Sequence, residues 1–422
     1  MIKEKAHLKK QIYGLLKDKY PVDPSTIDIG YTPQIKLGDL ALAFPFQLAK
    51  KVKRPPRELA QDIIPLLSGL KGVDKVEAAV TGFINLYLDR KEFFLAQVHV
   101  LNTPSLSPEE NKIIIEHTNI NPNKAAHIGH LRNAVLGDTL ARCLKYKGED
   151  VEVQNYIDDT GVQVADVVFG FMEIENKTLE EVKKITGKFD FYCWDLYTNV
   201  ASFLEEHPEI QEKKAGILKN IEEGTDPESE MAFHVSRRVL YAHLNTMKRL
   251  NIFYDICPCE SSIIHLKFWE KAFKLLKEKK AIHYTDKGEN KGCWVMPLED
   301  EPGQEKIIVR SNGTVTYVGK DIAYQLWKFG LLGRDFHYRR FEGLSAAHDL
   351  WATTSDEGDP AAPAFGKGTR VYNVIDVRQS YPQKVVKYGL AALGFTKEAE
   401  QSIHFDYEIV ALSHSAAKTL GL

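Results

Sequence analysis

The stretch Asn121-Pro122-Asn123-Lys124-Ala125-Ala126-His127-Ile128-Gly129-His130 decides the fold expected of this chain. It follows an apolar run, Ile113-Ile114-Ile115, of the kind that forms a buried parallel strand. It precedes Leu131–Arg142, where apolar residues recur at helical spacing. His127 and His130 therefore stand at i and i+3 where a strand hands over to a helix, a spacing that puts both imidazoles on one helix face. Free N–H groups and the helix dipole make such a start attractive to phosphate. Gly129, between the histidines, lets a flat ring come close to the backbone.

This arrangement suits ATP, with its base over Gly129 and its phosphates near His127 and His130. Lys124, one turn before His127, can bring an ammonium to the same phosphates; its alternative is an ordinary loop lysine. The competing account of the whole motif is a helix start with two solvent-facing histidines.

Bulk properties set the frame. The chain has 422 residues, 44% hydrophobic and 27% charged, which predicts two or three globular domains. A net charge of −3 gives no general pull toward nucleic acid, so RNA contact has to come from local basic patches. Two runs qualify: Lys50-Lys51-Val52-Lys53-Arg54-Pro55-Pro56-Arg57, and Arg334 with His337, Tyr338, Arg339 and Arg340. Five scattered cysteines suggest no disulfide framework and fit a reducing cytoplasm. Cys257-Pro258-Cys259 is too short for a zinc knuckle, so no metal site is expected. The N-terminus lacks a signal-peptide core, and no run of about 18 apolar residues predicts a membrane span.

The pattern predicts an α/β fold. Residues 1–108 form a small α/β domain with helices at Leu8–Lys19, Phe46–Val52 and Pro56–Leu67, and paired strands at Val73–Ala79 and Phe83–Leu88. A Pro/Ser-rich boundary falls at Asn102–Pro108. Residues 109–422 form a Rossmann-like parallel sheet that opens with strands at Lys112–Glu116 and Val151–Tyr156 around the helix. A mainly helical insertion at about 171–300 carries Glu173–Thr186, Phe191–Glu206 and Glu228–Leu250. Sheet character returns at Ile307–Arg310 and Val371–Val377, and residues 356–363 read as a loop.

With these pieces assembled, the chain resembles an arginyl-tRNA synthetase over nearly its whole length. His127-Ile128-Gly129-His130 is similar to the HIGH signature of class I aminoacyl-tRNA synthetases. Gly38-Asp39 with Leu48-Ala49-Lys50, and Thr81-Gly82-Phe83-Ile84-Asn85-Leu86, are similar to motifs of that family's N-terminal domain. Glu116 through Asp138, and then Asn155 through Gln163, resemble its first catalytic half. The segment Ser311–Tyr324 resembles its S-D-G-T-x-x-Y-x-x-[KR]-D-x-A block, and Val374–Gln379 and His404–Tyr407 match in order.

The resemblance implies a class I synthetase sheet with a helical insertion. It implies ATP-dependent activation of L-arginine and transfer to the 3′ end of tRNA(Arg), with ATP and Mg²⁺ as substrate and no tightly bound cofactor. A cytoplasmic monomer without membrane contact is expected. His127, Gly129, His130 and Lys124 would serve ATP, and Glu116, Asn121, His127, Tyr317, Asp321 and Gln379 would hold arginine. Arginine is a planar cation, so its pocket needs a carboxylate in the guanidinium plane, often beside an aromatic ring. Tyr317 and Asp321, four apart, can present that pair from one helix face. The alternative is that Asp321 caps a helix beginning at Ile322 and Tyr317 is sheet core. Asn121, Gln379 and Glu116 are the candidates for the substrate's α-amino end. Glu116 alternatively ends a strand, and Asn121 alternatively forms an Asx turn.

Two departures stand out. The family continues through a KMSKS-like loop and a helical anticodon-binding domain, both expected to be absent from a chain ending at Leu422. Asp159-Thr160-Gly161 replaces the common D-W-G and removes an aromatic ring. A non-catalytic relative that binds tRNA or protein is the other function class consistent with that ending.

Overall fold

The computed structural model describes residues 2–102, 112–298, 305–341, 349–411 and 413–421. It divides into two compact units, Met1–Ser105 and Leu106–Leu422. Most of the Pro/Ser-rich boundary segment, from residue 103 on, lies outside the described residues.

In the first unit β1 (Ile29–Tyr31), β2 (Leu40–Leu42), β3 (Val73–Ala78) and β4 (Ile84–Leu88) form an antiparallel sheet in the order β1-β2-β4-β3. Helices Ile2–Leu16, Phe44–Val52 and Pro56–Leu67 supply buried Ile12, Leu16, Phe44, Leu59 and Ile63 to its core. Gly38 in the Gly-Asp motif has φ 104°, and a Cβ there would lie 2.9 Å from the Leu86 carbonyl oxygen. Asp39 then accepts from the Leu88 N–H at 2.9 Å and from Arg90 at 2.6 Å, which ties this turn to β4.

In the second unit the strands are β5 (Ile113–Glu116), β6 (Val151–Gln154), β7 (Ile256–Cys257), β8 (His283–Tyr284), β9 (Trp294–Pro297), β10 (Glu305–Val309), β11 (His337–Arg340), β12 (Trp351–Thr354), β13 (Arg370–Asp376) and β14 (Ser402–Tyr407). Seven of them make one sheet, ordered β11-β12-β7-β6-β5-β13-β14. Its pairs are parallel except for the edge pair β11–β12. Every residue of β5 and β6 is buried, as strands covered on both faces require.

Helix Ile128–Lys147, here called the entry helix, crosses from β5 to β6 and ends at Gly148 in the left-handed conformation. It seats on the end of β5 through Gly137: a Cβ there would lie 2.3 Å from the buried His117 ring. Asn133 pins it further. Its carbonyl oxygen accepts from the Thr118 N–H at 2.6 Å, and its amide donates to the Val374 carbonyl and the Tyr407 hydroxyl, both at 2.9 Å.

Three expectations need correction. The helix expected over Glu173–Thr186 is broken into a π-helical turn, Gly170–Ile174, and a short helix, Leu179–Lys183, that starts afresh at a Thr178/Glu181 capping box. The mainly helical insertion expected at about 171–300 is interrupted, because β7 joins the main sheet between β6 and β12. The strand expected at Ile307–Arg310 belongs instead to a separate antiparallel sheet, β10-β9-β8. A three-residue apolar run, Ile307–Val309, identifies a strand but not its partner. Long helices Phe189–Glu206, Gln211–Glu223 and Glu228–Arg249 pack around their own core of Phe169, Phe171, Val200, Ile221 and Val235.

Gly137→Ala should push the entry helix off His117. Overpacking of this kind costs about 1–3 kcal/mol, so a lower urea midpoint with an unchanged m-value is expected. An unchanged midpoint would refute the contact.

Candidate active site

The C-terminal ends of β5, β6 and β13 open into a cavity of about 520 Å³. After β5 the chain turns through Thr118 (φ 76°) and Asn119 (φ 44°). Asn119 fixes this turn by accepting from the Tyr156 N–H at 2.8 Å, while its own N–H donates to Asn155 at 2.9 Å. That places Glu116, Asn119 and Asn121 on the cavity wall. The opposite wall is the helix Tyr317–Lys328, the cavity helix, with Thr316 at its N-cap. The helix therefore starts five residues before Ile322. Tyr317 is 56% exposed and lines the cavity with Asp321, one turn on. Neither is a cap or sheet core.

Five carboxylates line this space, those of Glu116, Asp158, Glu222, Glu260 and Asp321, against the ammonium groups of Lys320 and Lys328. Both oxygens of Glu116 are engaged: one accepts from the Asn119 amide at 2.7 Å, the other pairs with the buried Lys328. Glu116 thus ends its strand as a neutralised wall residue. Glu260 accepts from the Tyr156 hydroxyl at 2.9 Å and pairs with Lys320 at 2.7 Å, and Lys320 reaches Glu222 of the helical insertion at 3.3 Å. Asp321 makes no ion pair among the described residues, and Asp158 keeps one buried oxygen without a partner. Burial, and then the charge of Glu260, push both up to about 7. The cavity thus holds more carboxylates than ammonium groups, and the two aspartates outside the Lys320 and Lys328 ion pairs are the ones with raised proton affinity.

Gln379 is not brought in. It is exposed on the 3-10 turn Val377–Gln379, and Gln383, one turn later, lines the cavity and accepts from Asn373 at 2.9 Å. In Asp159-Thr160-Gly161, Asp159 is held by the Ser261 backbone N–H and hydroxyl at 2.8 and 2.6 Å, and the Thr160 hydroxyl donates to Glu260 at 3.4 Å. Thr160 is thus a buried donor to Glu260.

His127 and His130 lie outside this cavity's lining, at the start of the entry helix. His127 is the N-cap: its Nδ1 accepts from the Gly129 N–H at 3.2 Å, and His130 Nδ1 accepts from the His127 N–H at 3.2 Å. The rings stack at 3.6 Å between centroids. With Nδ1 accepting in both, the proton sits on Nε2. Burial and the Lys124 charge lower the His127 value; burial and the neighbouring His127, His243 and Lys124 push His130 down to about 3. The pair is neutral near pH 7 and presents N–H donors rather than cations. A Cβ on Gly129 would lie 3.1 Å from the His127 ring. The crowding at Gly129 therefore comes first from His127.

The basic runs are largely committed elsewhere. Arg54 pairs with Asp62 at 2.7 Å, and Lys51 donates to the Pro21 carbonyl at 3.2 Å. Arg339 and Arg340 pair with Asp356 and Asp349, and Arg334 donates to the Leu266 carbonyl. Among the described residues no cluster of His, Cys, Asp and Glu could hold a metal, and no helix is long and apolar enough to cross a membrane.

Sequence reasoning missed Lys328, Glu260, Asp158, Glu222 and Lys320. Asp158-Asp159 after a strand end was a signal for one of them, and Lys320-Asp321 lay in a matched block. Glu222 and Glu260 reach the site through the tertiary fold, and no local pattern marks them.

A parallel sheet with H-I-G-H at the start of the helix after a central strand defines a class I aminoacyl-tRNA synthetase catalytic region. Residues 5–88 match the model of the arginyl tRNA synthetase N-terminal domain, and 95–330 that of the class I (R) tRNA synthetase catalytic domain. The arginine–tRNA ligase of Pyrococcus furiosus is 35% identical over 96% of this chain and 66% of that protein. That of Deinococcus radiodurans is 35% identical over 93% and 62%. The solved arginyl-tRNA synthetase of Thermus thermophilus superposes with a TM-score of 0.78 at 32% identity, covering 96% of this chain and 65% of that one. The chain belongs to the arginyl-tRNA synthetase family. It spans just under two thirds of the length of these relatives.

The raised carboxyls carry a pH signature. A carboxyl held near 7 when folded, against an ordinary 3.8, binds its proton more tightly in the folded protein. Stability of the free protein should therefore fall as pH rises from about 4 to about 7. In Asp321→Asn that fall should shrink by on the order of 1–3 kcal/mol, allowing for partial solvent access. Denaturant midpoints at pH 5 and pH 8 measure it; equal slopes in the two proteins would contradict the assignment.

Proposed function

We propose that this chain carries the arginine-activating centre of an arginine–tRNA ligase: ATP and L-arginine form arginyl-adenylate, and arginine then passes to the 3′ end of tRNA(Arg). The observation that carries this is the cavity with five carboxylates against two ammoniums, walled by Tyr317 and Asp321, in a chain of this family. A guanidinium fits such a charge balance and can donate bidentate bonds to Asp321 while its plane meets the Tyr317 ring. Asn121 lines the same cavity and is the acceptor we assign to the α-amino group. Gln379, exposed in the free protein, joins only if its turn closes over the substrate.

The chemistry needs no covalent enzyme intermediate. The arginine carboxylate attacks the α-phosphate in line, pyrophosphate leaves, and stabilising the developing phosphate charge does the work. His127 and His130 donate from Nε2, and Lys124 adds a positive charge. ATP enters as its Mg²⁺ complex, a substrate rather than a resident cofactor. Cytoplasmic translation is the setting we assign, in keeping with five free cysteines.

Aminoacylation of tRNA(Arg) with labelled arginine tests the proposal, and absence of both arginine binding and transfer would sink it. Asp321→Asn should weaken arginine binding by about 2–4 kcal/mol, as for loss of a charged hydrogen-bonding partner. Lysine should compete poorly because it lacks the planar fork. An unchanged arginine dissociation constant in Asp321→Asn would remove Asp321 from the pocket.

Wild-type arginine affinity should also rise with pH through about 7, because the guanidinium draws Asp321 and Asp158 into their charged forms. Calorimetry at pH 6 and pH 8 checks the sign; tighter binding at pH 6 would contradict it.

A further inference from the structure

The helical insertion touches the phosphate end of the site at two points. Lys124 projects its ammonium over two aromatic faces of the helix Phe189–Glu206, those of Trp194 at 5.7 Å and Tyr197 at 5.5 Å. Trp194 also meets His127 edge-on, 6.2 Å between ring centroids. From the helix Glu228–Arg249, the buried His243 donates from Nε2 to the Lys124 backbone carbonyl at 2.7 Å. Side chain and backbone of one lysine are thus held by two helices that belong to neither the sheet nor the entry helix.

The choice of partner matters. Among the described residues, Lys124 has no carboxylate within ion-pairing distance, whereas Lys177, Lys183, Lys213, Lys214 and Lys219 of the insertion each have one. A carboxylate would orient the ammonium but cancel its charge and occupy its N–H donors. An aromatic face attracts the cation and leaves all three donors free for an incoming anion.

We infer that Trp194, with Tyr197, is a positioning residue for ATP: the aromatic pair holds Lys124 beside His127 so that its uncancelled charge meets the phosphates without having to be ordered on binding. This rests on the proposed ATP site. It adds that the insertion, through Trp194, Tyr197 and His243, sets the affinity of that site. Holding a long side chain in its bound conformation improves affinity by reducing the entropy lost on binding.

The test is calorimetric titration of Mg·ATP, and separately of L-arginine, into the full chain and its variants. Trp194→Leu should weaken ATP binding roughly five- to ten-fold, the range of a partly desolvated cation–π contact. Trp194→Phe should restore most of the loss, and arginine affinity should not move in either. Lys124→Ala should weaken ATP at least as much, and adding Trp194→Leu to it should bring no further loss, because both act through one ammonium. Tyr197→Leu is the second probe should Trp194→Leu fold poorly by circular dichroism, and it should give the same ATP-only loss. Wild-type ATP affinity in the leucine variants, losses that add to that of Lys124→Ala, or an equal loss of arginine affinity would each overturn the inference. No ATP binding by the wild type would instead overturn the proposed site itself, and the inference with it.

Discussion

The buried ammonium of Lys328 is the constraint on which the cavity depends. At 2% exposure it pairs with Glu116 and donates to Asn373 at 2.9 Å and Gln325 at 3.2 Å, with the Tyr324 ring 4.4 Å away. Its three donors join the end of β5, the middle of β13 and the last turn of the cavity helix. An unpaired charge at this depth would cost several kcal/mol, so these segments cannot separate without exposing one. The same pair takes up one oxygen of Glu116. A residue that looks like a free acceptor in the sequence is engaged at the end of β5 by Lys328 and the Asn119 amide.

That arrangement divides the site's charges into two kinds. Glu116 and Glu260 are matched by Lys328 and Lys320 and serve the fold. Asp321 and Asp158 are shielded from water without a matching cation, and their raised proton affinity measures the mismatch. Electrostatic strain kept at a ligand site lowers the stability of the free protein and is released when the ligand supplies the missing charge. At the start of the entry helix the logic is reversed. The stacked histidines are kept neutral, and the positive charge is left to Lys124, which no carboxylate neutralises among the described residues.

Much of this was legible in the sequence, for definable reasons. Ile113–Ile115, the loop after it and the entry helix announce themselves because an all-buried strand and an amphipathic helix have different periods. Tyr317 and Asp321 were legible as a pair because four residues is one helical turn. The main sheet's β7, only two residues long, carries no period and was invisible, as was the assignment of β10 to a separate sheet. Glu222 and Glu260 stand 38 positions apart and meet only through Lys320. Gln379 shows the opposite failure: its motif is intact, yet the 3-10 turn Val377–Gln379 carries it outward and presents Gln383 instead.

The insertion was legible as helices but not as part of the site. Its own core of Phe169, Phe171, Val200 and Val235 makes it look self-contained. Yet Glu222 reaches the cavity through Lys320, and Trp194, Tyr197 and His243 reach the loop before the entry helix through Lys124. The insertion meets Lys320 through the carboxylate of Glu222, and Lys124 through two aromatic faces and a hydrogen bond to its backbone. Neither lysine belongs to that helical core: Lys320 stands on the cavity helix, held more closely by Glu260 than by Glu222, and Lys124 stands in the loop after β5, so the insertion completes the surroundings of both without carrying either.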